Sequence, residues 1–155
     1  MKTVKPIPDG FHTATPYMIV KDATNALDFY KRAFAAVELY RLTAPDGHIG
    51  HAEFLIGNSR FMIADESPSF GALAPQTLGG SPIKIHLSVE DVDAFVKKAV
   101  AEGATILRPV KNEFHGNRGG MLADPFGHSW FVATQIEELD PAEMQRRWAK
   151  VFEAA

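Results

Sequence analysis

The sequence predicts an α+β fold: two βαβββ modules whose curved mixed sheets enclose a cleft, followed by a C-terminal helix. Three observations predict it. A strand-like period, a helical period and three further strand-like runs occur in that order twice. Setting Val20 against Val89 places Asp22 over Asp91 and superimposes the two helical stretches. Between the repeats lies "SPSFGALAPQTLGGSP", which has the composition of a linker. The expected boundaries are 12–66 for module one, 67–82 for the linker, 83–134 for module two and 141–153 for the last helix. At 155 residues the chain is read as one domain holding both modules.

In module one, "HTATPYMIV" (12–20) reads as a strand. Ala23, Ala26, Leu27, Tyr30 and Phe34 then recur at helical spacing behind Asp22, a suitable cap. The runs 37–43, 48–56 and 60–66 follow as strands, broken by Pro45-Asp46-Gly47 and Gly57-Asn58-Ser59. In module two, "IKIHLSV" (83–89) alternates apolar and polar residues. Val92, Phe95, Val96, Ala99 and Val100 mark a helix that Gly103 ends. "TILRPVKN", "RGGMLAD" and "SWFVAT" supply three more strands, with "FHGNRGG" (114–120) read as a loop. For the final helix, Asp140 caps, Pro141 takes the first position and Glu143 completes a capping box. Its stripe of Met144, Trp148, Val151 and Phe152 is expected to pack on the body or on a second subunit.

Composition narrows the partners. A net charge of −3, with no cluster of Lys and Arg on one face, argues against nucleic acid and anionic membrane. The chain has no cysteine, which removes disulfides, thiol catalysis and thiolate metal sites together. Residues 1–10 carry no apolar core of signal-peptide length, and a cytoplasmic protein is expected.

Strand alternation sorts side chains by face. Ile83, Ile85, Leu87 and Val89 should meet a helix, leaving Lys84, His86 and Ser88 on the other side. Ala52, Phe54 and Ile56 should be covered, leaving His51 and Glu53 facing the cleft. His51 and Glu53, two residues apart on one strand, are the candidate catalytic acid/base pair. His86 from the other module would complete a His51–Glu53–His86 metal set. Tyr17, Lys84, His86 and Phe131 are candidate substrate-binding residues. Arg118 joins them because a guanidinium fork suits a carboxylate or phosphate.

The segments "VKDATNALDFYKRAF", "HAEFLIGNSRFMIADE", "IHLSVEDVDAFVKKAVAEGA" and "DPFGHSWFVATQIEEL" resemble the vicinal oxygen chelate superfamily of glyoxalases, bleomycin-resistance proteins and extradiol dioxygenases. The "HAE…IG.S…M.AD" and "DPFGH.W…AT" patterns look like its PhnB-like branch. The resemblance implies the paired βαβββ fold, and a dimer, swapped or unswapped. It implies a divalent metal held at positions that fall on Thr15, Ala64, Lys84 and Phe131 here, none of them a suitable ligand. The expected function is therefore to bind a small organic molecule in the inter-module cleft, with no cofactor and without the usual metal set. The alternative is a glyoxalase-type lyase or isomerase using Zn, Ni, Mn or Fe at the shifted His51–Glu53–His86 set. Whether a reaction is catalysed stays open between the two.

Overall fold

The computed structural model describes residues 3–154 and divides the chain into two compact units at Gly80/Ser81. In the first, β1 (Tyr17–Val20), α1 (Ala23–Phe34), β2 (Val37–Thr43), β3 (Ile49–Ile56) and β4 (Ser59–Asp65) follow one another. The sheet order is β1-β4-β3-β2, with β1 parallel to β4 and the other pairs antiparallel. A 3-10 turn (Pro68–Phe70) and one turn of helix, α2 (Pro75–Leu78), complete the unit. The second repeats the pattern: β5 (Lys84–Ser88), α3 (Val92–Ala101), β6 (Thr105–Asn112), β7 (Asn117–Ala123) and β8 (Ser129–Gln135), then α4 (Pro141–Glu153). Its sheet order is β5-β8-β7-β6, with β5 parallel to β8. These are the two βαβββ modules. No helix among the described residues is long and apolar enough to cross a membrane.

Helix starts obey local chemistry. The side chains of Asp22, Asp91 and Asp140 accept from the backbone amides of Asn25, Ala94 and Glu143. Each cap contributes about 1 kcal/mol. A second device ties each helix to its last strand. The Asp65 carboxylate accepts from Ala23 N at 2.7 Å and Ile49 N at 2.6 Å. In module two the Thr134 hydroxyl accepts from Val92 N at 2.9 Å and donates to Val89 O at 2.9 Å.

Each helix covers one sheet face. In module one the aromatic stack runs Tyr30–Phe54–Phe61, with ring centroids 5.5 and 5.2 Å apart, and Met18, Val20, Ala52 and Ile63 close round it. In module two Leu122, Trp130 and Val132 are fully buried. Trp130 donates from Nε1 to Asp124 at 2.8 Å, and Asp124 also accepts from the amides of Phe126 and His128. Asp124 thus closes the turn into β8.

Four sequence expectations change. The first strand begins at Tyr17 and not at residue 12, because Pro16 has no N–H to enter the ladder. Ile83 precedes β5 and is 70% exposed, so it is not part of the helix-covered face. Residues 117–120 belong to β7, so where the strand reading of "RGGMLAD" and the loop reading of "FHGNRGG" overlap the strand holds: β8 pairs with them at Asn117–Gln135 through Gly120–Val132. The linker is partly ordered by its 3-10 turn and α2. The last helix lies within the expected bounds, and Trp148 meets Phe114 at a centroid distance of 5.2 Å. Arg147 clamps it through a bidentate pair to Glu137 at 2.7 and 2.6 Å. Val151 and Phe152, from the expected stripe, stay exposed.

Candidate functional site

The helix-free face of the module-one sheet carries a connected polar cluster. Register places its members together: Tyr17 pairs with Met62, Glu53 with Met62, Tyr40 with Glu53, and Leu42 with His51. Paired residues share a face, so Tyr17, Tyr40, His51, Glu53 and Arg60 all lie opposite α1. Glu53 is the hub and is only 4% exposed. Its carboxylate accepts from Tyr40 Oη at 2.9 Å, from the Arg60 guanidinium, and from His51 Nε2 at 3.4 Å. Tyr17 Oη lies 3.0 Å from His51 Nδ1. Arg60 is positioned from behind by Phe11, whose ring centre is 4.2 Å from the guanidinium carbon, and by Gly10 O at 3.4 Å.

The electrostatics follow from these contacts. Burial pushes the Glu53 carboxyl up, but hydrogen bonds from Tyr40, Arg60 and His51 outweigh it and hold the group below its ordinary range. Tyr40 is shifted up, first by its hydrogen bond to Glu53, then by burial and by that residue's charge. Glu53 is therefore a paired anion and a weak base.

Module two presents a different face. His86 stacks on Phe131 with centroids 5.2 Å apart and planes at 24°. A pocket of about 510 Å³ opens beside them, with His86, Ser88, Glu90, Asn117 and Gln135 among its lining residues. Lys84 is exposed at the start of β5, on the same side. Arg118 is elsewhere. It pairs with Thr134, on the helix side of the sheet, and its fork is engaged by Asp93 at 2.7 and 2.9 Å and by Asn112 at 3.0 Å. The expectation that it meets an anionic substrate group rested on reading 117–120 as loop, and β7 turns the side chain the other way.

The positions at which the superfamily resemblance implies a metal do not suit one. Thr15 precedes β1, Ala64 is buried, Lys84 is a cation, and Phe131 is committed to its stack with His86. As for the shifted set, His51 and Glu53 are tied to Tyr17, Tyr40 and Arg60, and His86 belongs to module two. Among the described residues no group of three His, Asp or Glu side chains is arranged to hold a metal ion.

Sequence reasoning missed Arg60 and Tyr40. The signal for Arg60 was present: the turn at Gly57-Asn58 sets the β3–β4 register, which pairs Leu55 with Arg60 and puts the guanidinium beside Glu53. Tyr40 depends on a β2–β3 register interrupted by two irregularities, for which the sequence gives no local sign.

Residues 11–132 match the family model of the glyoxalase/bleomycin resistance protein/dioxygenase superfamily. An uncharacterised protein of Mycobacterium bovis is 40% identical over 134 residues, covering 84% of this chain and 88% of its own. The crystal structure of an Arabidopsis thaliana gene product superimposes with a TM-score of 0.63 at 28% identity, covering 79% of this chain and 98% of that one. The fosfomycin resistance protein FosX of Listeria monocytogenes, solved with Mn(II) and sulfate, shares the fold at 18% identity and a TM-score of 0.63. That likeness covers 88% of this chain and 97% of the Listeria protein.

Proposed function

The chain belongs to the glyoxalase/bleomycin resistance protein/dioxygenase superfamily, and from that premise we propose that it binds a small organic molecule without the superfamily's usual metal set. The observation that carries the reading is the Tyr17–His51–Glu53–Arg60 cluster. A buried, fully paired carboxylate fixes a histidine and two half-exposed phenols on an otherwise apolar sheet face. A few convergent polar groups among apolar ones is the usual composition of a small-molecule site. Tyr17 and His51 are its contact groups, while Glu53 positions them. On module two's own open face, Lys84, His86 and Phe131 are the candidate contact residues.

The metal-free part of the reading rests on donor chemistry at Thr15, Ala64, Lys84 and Phe131. Elemental analysis of protein purified without added metal is expected to show no stoichiometric divalent ion. One tightly held nickel, zinc, iron or manganese per chain overturns it. A thermal-shift screen of small organic compounds is expected to yield hits that raise the melting temperature of the native chain and lose that effect in Tyr17→Phe. Hits that stabilise Tyr17→Phe equally would remove module one's cluster from the site.

We further propose a homodimer. One outer strand of each sheet, β2 in the first and β6 in the second, exposes apolar side chains: Val37 59%, Leu42 59%, Ile106 48% and Leu107 49%. Soluble proteins ordinarily cover or charge such edges. Sedimentation at micromolar concentration is expected to give twice the chain mass, and a monomer there would reject the assembly.

A further inference from the structure

We propose that the module-one cluster presents hydrogen-bond acceptors, so that it selects ligands carrying O–H or N–H donors. The inference rests on the reading that this face binds the ligand, and it names the ligand's chemical class.

It follows from counting protons. An ionised carboxylate only accepts. Glu53 is ionised, and receives from Tyr40 Oη, from the Arg60 guanidinium and from His51 Nε2. Tyr40 has therefore spent its one hydroxyl proton on Glu53, and His51 carries a proton on Nε2. Neutral imidazole has a single N–H, so Nδ1 is a bare lone pair. Tyr17 Oη lies 3.0 Å from that nitrogen, a distance that requires a proton between them. With the imidazole neutral, only Tyr17 can supply it. Both phenol protons and the His51 Nε2 proton thus run inward along the path that ends at Glu53.

What faces outward is what remains. Tyr17 is 52% exposed and Tyr40 44%, and each offers only oxygen lone pairs. The charge of Glu53 is offset by Arg60, so the surface has little net charge and exerts little pull on ions. Leu42 and Met62 share this face and supply apolar surface beside the two oxygens. A neutral aromatic or similarly flat compound with hydroxyl or amide N–H groups fits. An acceptor-only isostere would set oxygen against oxygen and leave the phenol oxygens desolvated without partners.

Resorcinol and 1,3-dimethoxybenzene form a matched probe pair, differing in whether their oxygens donate. Titration into the full chain, with tyrosine ring carbons labelled for NMR, reads binding at Tyr17 and Tyr40 directly. Resorcinol is expected to shift both ring signals and to bind roughly 10-fold more tightly than the ether, the value of one good hydrogen bond. In the Tyr17→Phe/Tyr40→Phe variant, with folding checked by thermal melt, the preference is expected to fall towards unity. Equal or tighter binding of the ether at these rings overturns the acceptor assignment while leaving the site in place. A preference unchanged in the double variant does the same. If neither probe perturbs Tyr17 or Tyr40, the site falls, and the assignment with it.

Discussion

In module one, Tyr17, His51, Glu53 and Arg60 occupy four positions that module two fills with His86, Gly119, Met121 and Ser129. The equivalence is set by register: Glu53 pairs with Met62 as Met121 pairs with Phe131, and Leu55 with Arg60 as Ala123 with Ser129. A polar cluster in one sheet is replaced in the other by an aromatic stack over a glycine. A Cβ at Gly119 would lie 3.1 Å from two Phe131 ring carbons, so the ring occupies the volume that a side chain there would need. On the helix side the modules keep to one plan, with an aspartate cap, a staple from the last strand and an aromatic core. The side that holds the fold together is constrained, and the open side is free to diverge in chemistry.

The largest test of that comparison is in the cores. Phe54→Ala and Trp130→Ala are each expected to cost about 3–5 kcal/mol in denaturant unfolding, since both remove a fully buried ring. A loss in only one variant would mean that the modules are not equivalent supports. Next come the staples. Asp65→Ala strands two backbone amides and is expected to cost about 2–4 kcal/mol, whereas Thr134→Ala should cost about 1 kcal/mol. Equal losses would show that the carboxylate adds nothing over a hydroxyl.

Acid should separate the modules too. Glu38 is held at about 2, first by its hydrogen bonds to Arg41, with burial opposing and Lys31 assisting. Ile106 takes the matching place in module two, pairing with Leu122 as Glu38 pairs with Phe54. The folded value is depressed, so its stabilisation is complete above the ordinary 4.5 and lost as pH falls from there through about 2. The size is about 1–3 kcal/mol, and Glu38→Gln should flatten that part of the pH–stability curve. A variant curve parallel to the parent's would assign acid sensitivity elsewhere. Smallest in stability is Tyr17→Phe, an exposed hydroxyl whose loss should change unfolding by under about 0.5 kcal/mol. Its effect belongs to ligand binding, and a large loss of stability would make Tyr17 part of the scaffold.

Much of this was legible in the sequence. Asp22, Asp91 and Asp140 announced their helices because capping is local chemistry. The faces of 51–56 and 84–88 could be read from alternation alone. What escaped depended on partners distant in the chain. Residues 117–120 resembled a loop because Gly119 and Gly120 permit any backbone, yet they are glycine because Phe131 and the β6 backbone at Arg108 and Val110 press against a paired strand. Misreading that strand put Arg118 on the wrong side. The pairing of Glu53 with Arg60 was implicit in a short turn, but that with Tyr40 required a register no local pattern fixes.

The staples also bear on how the chain is made. Ala23 waits for Asp65 and Val92 for Thr134, the same 42-residue reach in both modules. Each helix is secured only when its own last strand arrives, and neither sheet borrows a strand from the other. During synthesis from the N-terminus, module one can complete its ladder before any strand of module two has left the ribosome. The repeat is therefore temporal as well as spatial: one closure is followed, after a linker's delay, by a second of equal length.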